Sequence, residues 1–295
     1  MNLFDILKSI TNHPLTRNNR SAAVWRFFKW QVGKLITKKP TIHLFTEQSK
    51  LIIQKGMTGA TGNLYCGLQD FEEMSFLLHF LRPDDLFIDI GANIGSYTVL
   101  ASGQVGAKTI AFEPVPSTFK YLLANISINN LQKKVTALPI ALGAIKGNIE
   151  FAISKDMMNN HVAEKNEMAD KLEVPVVKLD DVMADQLDPA LIKIDVEGYE
   201  TDVLKGAINT LQNKHLKVII IELMGLGKRY GFDENVIHEF LLNLDFKPAQ
   251  YDPFLRKIKI LQSYGKRNTI YIRDLNFVES RIQTAEKIRI LNQIF

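Results

Sequence analysis

Three apolar runs in this sequence end in residues that can bind a ligand or move a proton. The first reads Phe87-Ile88-Asp89-Ile90-Gly91-Ala92-Asn93-Ile94-Gly95. A strand that turns through glycines into a helix leaves free N–H groups and a positive dipole end, which suit an anionic group. Gly91 and Gly95 let the chain turn and let a ligand approach with no Cβ in its way. With Asn93 between them, their spacing differs from the G-x-G-x-x-G of dinucleotide sites. Asp89 would repel a pyrophosphate and suits the ammonium or sulfonium end of S-adenosylmethionine. The competing reading is a turn whose glycines serve only helix–sheet packing.

The second run ends at Phe112-Glu113-Pro114. Glu113 follows Asp89 at close to the roughly 20-residue spacing at which a carboxylate meets a ribose. Its two oxygens can accept from both ribose hydroxyls. The third run reads Leu191-Ile192-Lys193-Ile194-Asp195-Val196-Glu197-Gly198. Asp195 and Glu197 can orient or deprotonate a hydroxyl, although Glu197 could equally cap the helix that follows. Lys193 is out of place in an apolar strand and needs a carboxylate partner, with Asp181 and Asp195 as candidates.

These runs belong to a regular alternation. Strands are expected at residues 86–90, 109–112, 135–141, 191–194, 218–222 and 269–272. Helices are expected at 71–81, 96–104, 117–129, 199–212 and 234–243. Short apolar strands alternating with amphipathic helices predict an α/β fold, a parallel sheet covered on both faces. In such a sheet adenine lies against the turn after the third strand, which nominates Ala141 and Leu142. Residues 143–183 break the rhythm and read as an insertion over the C-terminal sheet edge, where active sites of this architecture lie. His161 falls in that insertion and is a third candidate base beside Asp195 and Glu197. Its competing reading is a surface-loop histidine.

The flanks are less regular. Residues 1–60 read as a helical and β extension, 61–275 as the main domain, and 276–295 as a C-terminal helix that packs on the N-terminal helices or forms a homodimer contact. A Gly-rich turn is expected at 56–62. Residues 21–37 mix Trp25, Phe27, Phe28 and Trp30 with cations. Burial of these aromatics against the body or a second subunit is favoured over contact with an anionic membrane or a charged glycan.

The net charge of +4 does not call for nucleic acid, and although the first forty residues are basic there is no extensive basic stripe or aromatic platform of the nucleic-acid kind. No apolar run has the length of a membrane-spanning helix. The single cysteine, Cys66, and the lack of a signal-type start lead to the expectation of a cytoplasmic chain. There is no His/Cys cluster of zinc spacing, and no metal is expected.

Taken together, the runs resemble the FkbM family of S-adenosylmethionine-dependent methyltransferases. The matching pieces are DIGANIGSYT from Asp89, FEPVPST from Phe112, LLANISINN from Leu122, the turn at Ala141, LDD from Leu179, IKIDVEGYE from Ile192, VLKGA from Val203 and IIIEL from Ile219. The resemblance covers roughly residues 65–275. It implies a Rossmann-like methyltransferase fold with a mostly parallel seven-stranded sheet, whose last strand, 269–272, runs antiparallel beside the fifth. It implies O-methylation of a sugar, glycan or glycosylated small molecule. It also implies an acid ahead of the first strand, matched by Glu72, in the cofactor site. Two rivals stay open, a methyltransferase-like binding module without activity and a NAD-dependent oxidoreductase; an RNA or protein methyltransferase ranks below both.

Overall fold

The computed structural model describes residues 3–37, 39–154, 160–164 and 167–295. At its centre lies an eight-stranded sheet. In chain order its strands are β1 (Leu86–Ile90), β2 (Lys108–Phe112), β3 (Val135–Leu138), β4 (Pro189–Ile194), β5 (Val218–Glu222), β6 (Lys247–Asp252), β7 (Lys257–Ile260) and β8 (Asn268–Ile272). Across the sheet they run β7-β6-β8-β5-β4-β1-β2-β3. The pairs from β5 through β4, β1 and β2 to β3 are parallel. As expected, β8 is antiparallel beside β5. The expected count of seven is corrected to eight by the β6–β7 hairpin at the sheet edge. Lys247, Lys257 and Lys259 are exposed there, as suits an edge, and they dilute the apolar signal of these strands.

Alternation along the buried strands feeds two cores. Phe87, Leu191, Val218 and Ile220 enter one, and Leu86, Ile88, Ile192, Ile194 and Ile219 enter the other. The same period places Asp89 on the face of Phe87, and Lys193 on the face of Leu191. Register pairs Lys193 with Asp89, so the two polar side chains stand side by side on one face of the sheet.

The insertion forms a second sheet of four strands, Ala141–Leu142, Lys171–Val177, Gly147–Ala152 and His161–Val162 in spatial order. Val115, Ala141, Phe151, Val162 and Val174 make its small core. The expected strand 135–141 therefore divides, with β3 ending at Leu138 and Ala141 joining the second sheet. The helix expected over 199–212 is likewise two, Glu200–Lys205 and Ile208–Gln212, parted where Gly206 O accepts from Asp180 N at 3.0 Å.

The N-terminal residues share the main core through Ile10, Phe27, Trp30, Leu51 and Ile53. They comprise the helices Leu3–Asn12 and Arg20–Ile36 and a hairpin of Thr41–Leu44 with Lys50–Ile53. The turn expected at 56–62 is limited to its start, where Gly56 has φ 91°, and the rest falls in the helix Thr58–Cys66, so the boundary expected at residue 60 lies inside that helix. Asn125 locks this region to the site. Its Oδ1 accepts from Ile52 N at 2.7 Å, and its Nδ2 donates to Ile94 O at 2.8 Å. At the other end, the helix Leu275–Thr284 stops short of the expected 276–295. A hairpin of Arg289–Ile290 and Gln293–Ile294 follows it.

Candidate active site

A cavity of about 250 Å³ opens at the C-terminal edge of β1, β2 and β4, beneath the second sheet. Gly91, Asn93, Glu113, Ala141, Leu142, Asp195 and Glu197 all line it. The β1 turn is shaped by its glycine. Gly91 has φ +74°, and a Cβ there would lie 1.9 Å from Asp195 O, so only glycine lets the β1 and β4 ends close together. Gly95 has a different task. It is absent from the lining, and a Cβ on it would strike Leu122 Cδ1 at 2.5 Å, which makes it a packing glycine between turn and helix.

Glu113 is buried, and both its oxygens accept from the backbone. Oε2 takes the Asn93 N–H at 3.0 Å, and Oε1 takes the Val115 N–H at 2.9 Å. Burial pushes its carboxyl up to about 7, against those two N–H groups, which favour the anion. A carboxylate offers about four acceptor positions, so two remain for the hydroxyls of a ribose. Beyond Glu113 the walls turn apolar, with Ile140, Ala141, Leu142, Ile149, Phe151 and Val162. That lining suits a flat heteroaromatic ring.

The opposite end is acidic. Lys193 Nζ is 3.0 Å from Asp195 Oδ2, which settles its partner as Asp195, and it stands 4.9 Å from the centre of the Tyr97 ring. Burial works against the Lys193 ammonium, but Asp195, Asp89 and Asp70 outweigh it and hold its pKa above the ordinary value. Tyr97 donates its hydroxyl to Asp70 Oδ2 at 3.2 Å. Burial, then Asp195, raises the Asp70 carboxyl. Glu197 sits in the left-handed region at φ 57°, a conformation that costs a non-glycine residue about 1 kcal/mol or more. Burial, then Asp195, pushes its carboxyl up to about 7. The Val196 and Gly198 N–H groups are held by Glu200 Oε1, each at 3.1 Å, so the capping role open to Glu197 falls to Glu200. Glu222, at the end of β5, is raised to about 9 by burial and by Asp195 and Glu197. One carboxylate oxygen from each of Asp195, Glu197 and Glu222 lies within 4.8 Å of the others. This cluster can share protons, accept from a hydroxyl, or ligate a cation.

Besides Gly95, three sequence candidates stand outside the lining. Asp89 is wholly buried below the cavity, where Oδ2 accepts from Thr98 Oγ1 at 2.6 Å. Among the described residues its Oδ1 makes no hydrogen bond, and Lys193, its register partner on the neighbouring strand, is the cation that acts on it. Glu72 does not reach the cavity. It turns to β6 and accepts from Tyr251 N at 2.7 Å, while its neighbour Asp70 takes the place at the site. His161 flanks the lining between Asn160 and Val162, with Nε2 3.2 Å from Glu167 Oε1. Asp70, Tyr97 and Asn268 line the cavity without having been singled out from the sequence. Asp70 precedes a helix, which reads as an ordinary cap, and Tyr97 reads as core.

The parallel order, the antiparallel β8 and the ligand edge define the Rossmann-like methyltransferase fold. The methyltransferase FkbM domain matches residues 89–248, and the chain belongs to that family. It is 31% identical over 149 residues to the hexuronic acid methyltransferase AglP of Haloferax volcanii, a match covering 50% of this chain and 59% of that protein. It is 30% identical over 169 residues to the 31-O-demethyl-FK506 methyltransferase FkbM of Streptomyces tacrolimicus, covering 46% and 65%. The chain thus spans about three fifths of the length of these curated relatives. A solved methyltransferase FkbM from Methylobacillus flagellatus superposes with a TM-score of 0.45 at 17% identity, over 72% of this chain and 52% of that one.

Proposed function

We propose that this chain uses S-adenosylmethionine to methylate a hydroxyl of a sugar, glycan or glycosylated small molecule. The observation that carries the reading is one cavity holding a half-satisfied buried Glu113 at one end and the Asp195, Glu197 and Glu222 carboxylates at the other. Glu113 would take the ribose hydroxyls, the apolar wall at Ile140 to Leu142 the adenine, and Asp70 the cationic amino-acid end. When bound, the cofactor supplies an electrophilic methyl group on a sulfonium.

The chain's own residues must then align the acceptor oxygen and remove its proton. Alignment for an in-line displacement is worth about 7–11 kcal/mol. Glu197, with a carboxyl raised to about 7, is poised to accept a proton near neutral pH. Asp195, held by Lys193 Nζ at 3.0 Å, orients the same hydroxyl. Glu222 holds its proton and can donate to a neighbouring acceptor oxygen. The relative that acts on a hexuronic acid supports a carbohydrate acceptor.

The test is transfer of labelled methyl groups from S-adenosylmethionine to fractionated glycans and glycosylated metabolites, with the product linkage read by NMR. A methyl ether on a sugar carbon is expected. Methylation at nitrogen or carbon would overturn the acceptor assignment. Tight binding of S-adenosylhomocysteine with no transfer to any fraction would favour a binding module instead.

A further inference from the structure

The helix Arg20–Ile36 divides its apolar residues between two faces. Ala23, Phe27 and Trp30 are buried against the body. Trp25, Phe28, Val32, Leu35 and Ile36 recur at helical spacing on the other side and stay in solvent. Trp25 keeps 67% of its surface exposed, and Leu35 and Ile36 keep 79% and 83%. Phe27 and Trp30 are thus buried against the body, as expected, whereas Trp25 and Phe28 are not buried within this chain. Ile42 and Leu44, on the strand that follows, are exposed as well.

Such an outward stripe needs an occupant, and the charge distribution selects one. Residues 1–60 hold ten Lys and Arg against Asp5 and Glu47, a balance of +8. The whole chain carries +4, which leaves −4 for the remaining residues. A second copy presenting the same face would set like charge against like. An anionic lipid surface meets both properties, since cations pair with headgroups while Trp, Phe and Leu enter the acyl boundary. Lys29, exposed beside Phe28, carries such a cation. No helix among the described residues is long and apolar enough to cross a membrane, so the contact would lie in the interface plane.

We propose that the outer face of Arg20–Ile36 docks this protein onto a membrane rich in anionic lipid. The face is tied to the cavity through one helix. Arg26 donates from Nε and Nη2 to Tyr65 O at 3.0 and 2.7 Å, and the helix Thr58–Cys66 that carries Tyr65 supplies Thr58, Gly59 and Asn63 to the cavity lining.

The test uses the full chain in flotation with vesicles of phosphatidylcholine alone, and with about one third phosphatidylglycerol, at salt from low to about 1 M. Binding is expected only to the anionic vesicles and should weaken as salt rises. Trp25 emission should shift to the blue, whereas Trp30 is already buried. Trp25→Ser with Leu35→Ser should weaken partitioning about tenfold or more, with an unchanged melting curve because both side chains are exposed. Lys29→Glu should steepen the loss. Equal binding to neutral vesicles, or none to anionic ones, overturns the proposal. So does a dimer seen by light scattering without lipid that Trp25→Ser returns to monomer, which would give the face to a second copy. The measurement reads lipid binding and stands or falls independently of methyl transfer.

Discussion

Lys193 Nζ lies 3.0 Å from Asp195 Oδ2, and the strand register sets the same lysine beside Asp89. One buried cation therefore neutralises the underside of the β1 turn and the acidic end of the cavity. Lys193→Met should leave these carboxylates uncompensated. Removing one partner of such a pair costs about 3 kcal/mol or more, so chemical denaturation should show a loss of that order. An unchanged midpoint would mean that water already screens the site.

Gly91→Ala should damage cofactor binding more than general packing mutations do. Its Cβ would have to displace Asp195 O, and its φ of +74° disfavours any side chain. Affinity for S-adenosylhomocysteine, measured by calorimetry, is expected to fall at least tenfold, the equivalent of about 1.4 kcal/mol.

Glu113→Gln keeps the shape and removes the charge. A hydrogen bond to a charged group is worth about 1.5–3 kcal/mol, so S-adenosylhomocysteine should bind roughly ten- to a hundredfold more weakly. Wild-type affinity should itself rise with pH through about 7 as the buried carboxyl ionises. Gln at this position should abolish that rise.

The acids Glu113, Glu197 and Glu200 are raised to about 7, and Glu222 to about 9, from a starting value of 4.5, with burial the first cause in each. Their folded-state values exceed the unfolded ones, so the folded chain binds more protons between these limits. Stability should then fall as pH rises from about 4.5 towards 9. Melting temperatures of the ligand-free chain are expected to be lower at pH 8 than at pH 6, with the difference reduced in Glu222→Gln.

Glu197→Gln and Asp195→Asn should lower kcat by about 10²–10⁴ with little change in S-adenosylhomocysteine affinity, and the wild-type rate should rise through pH 7. His161→Ala should have a smaller effect, because its ring flanks the lining. Lys193 already supplies a cation to Asp195, so activity should survive a chelator. Activity lost to the chelator and restored by Mg²⁺ would reassign the three carboxylates as metal ligands.

Much of the site was legible because local rules made it so. Gly91, Glu113 and Asp195 each end an apolar strand, and strands of a parallel sheet end at a common edge. That adjacency turns three distant sequence positions into one cavity. Asn125 and Asn129 were visible only as part of a motif. Asn125 bridges the N-terminal hairpin to the β1 turn, and Asn129 binds Lys50 through both its amide N–H and its carbonyl.

The amino-acid sequence alone determined the strand–helix rhythm, the glycine turn, the acids at the strand ends and the family. Periodicity and turn chemistry are local and survive in one dimension. Tertiary structure decided which of neighbouring acids entered the cavity. Asp70 and Glu72 are two residues apart, yet one lines the site and the other caps a β6 N–H, because helix geometry points them apart. It also decided that Lys193 pairs with Asp195, that Glu200 takes the loop N–H groups and frees Glu197, and that Trp25 faces solvent while Phe27 does not. Each of these depends on a neighbour brought close by the fold, and no local pattern encodes that distance.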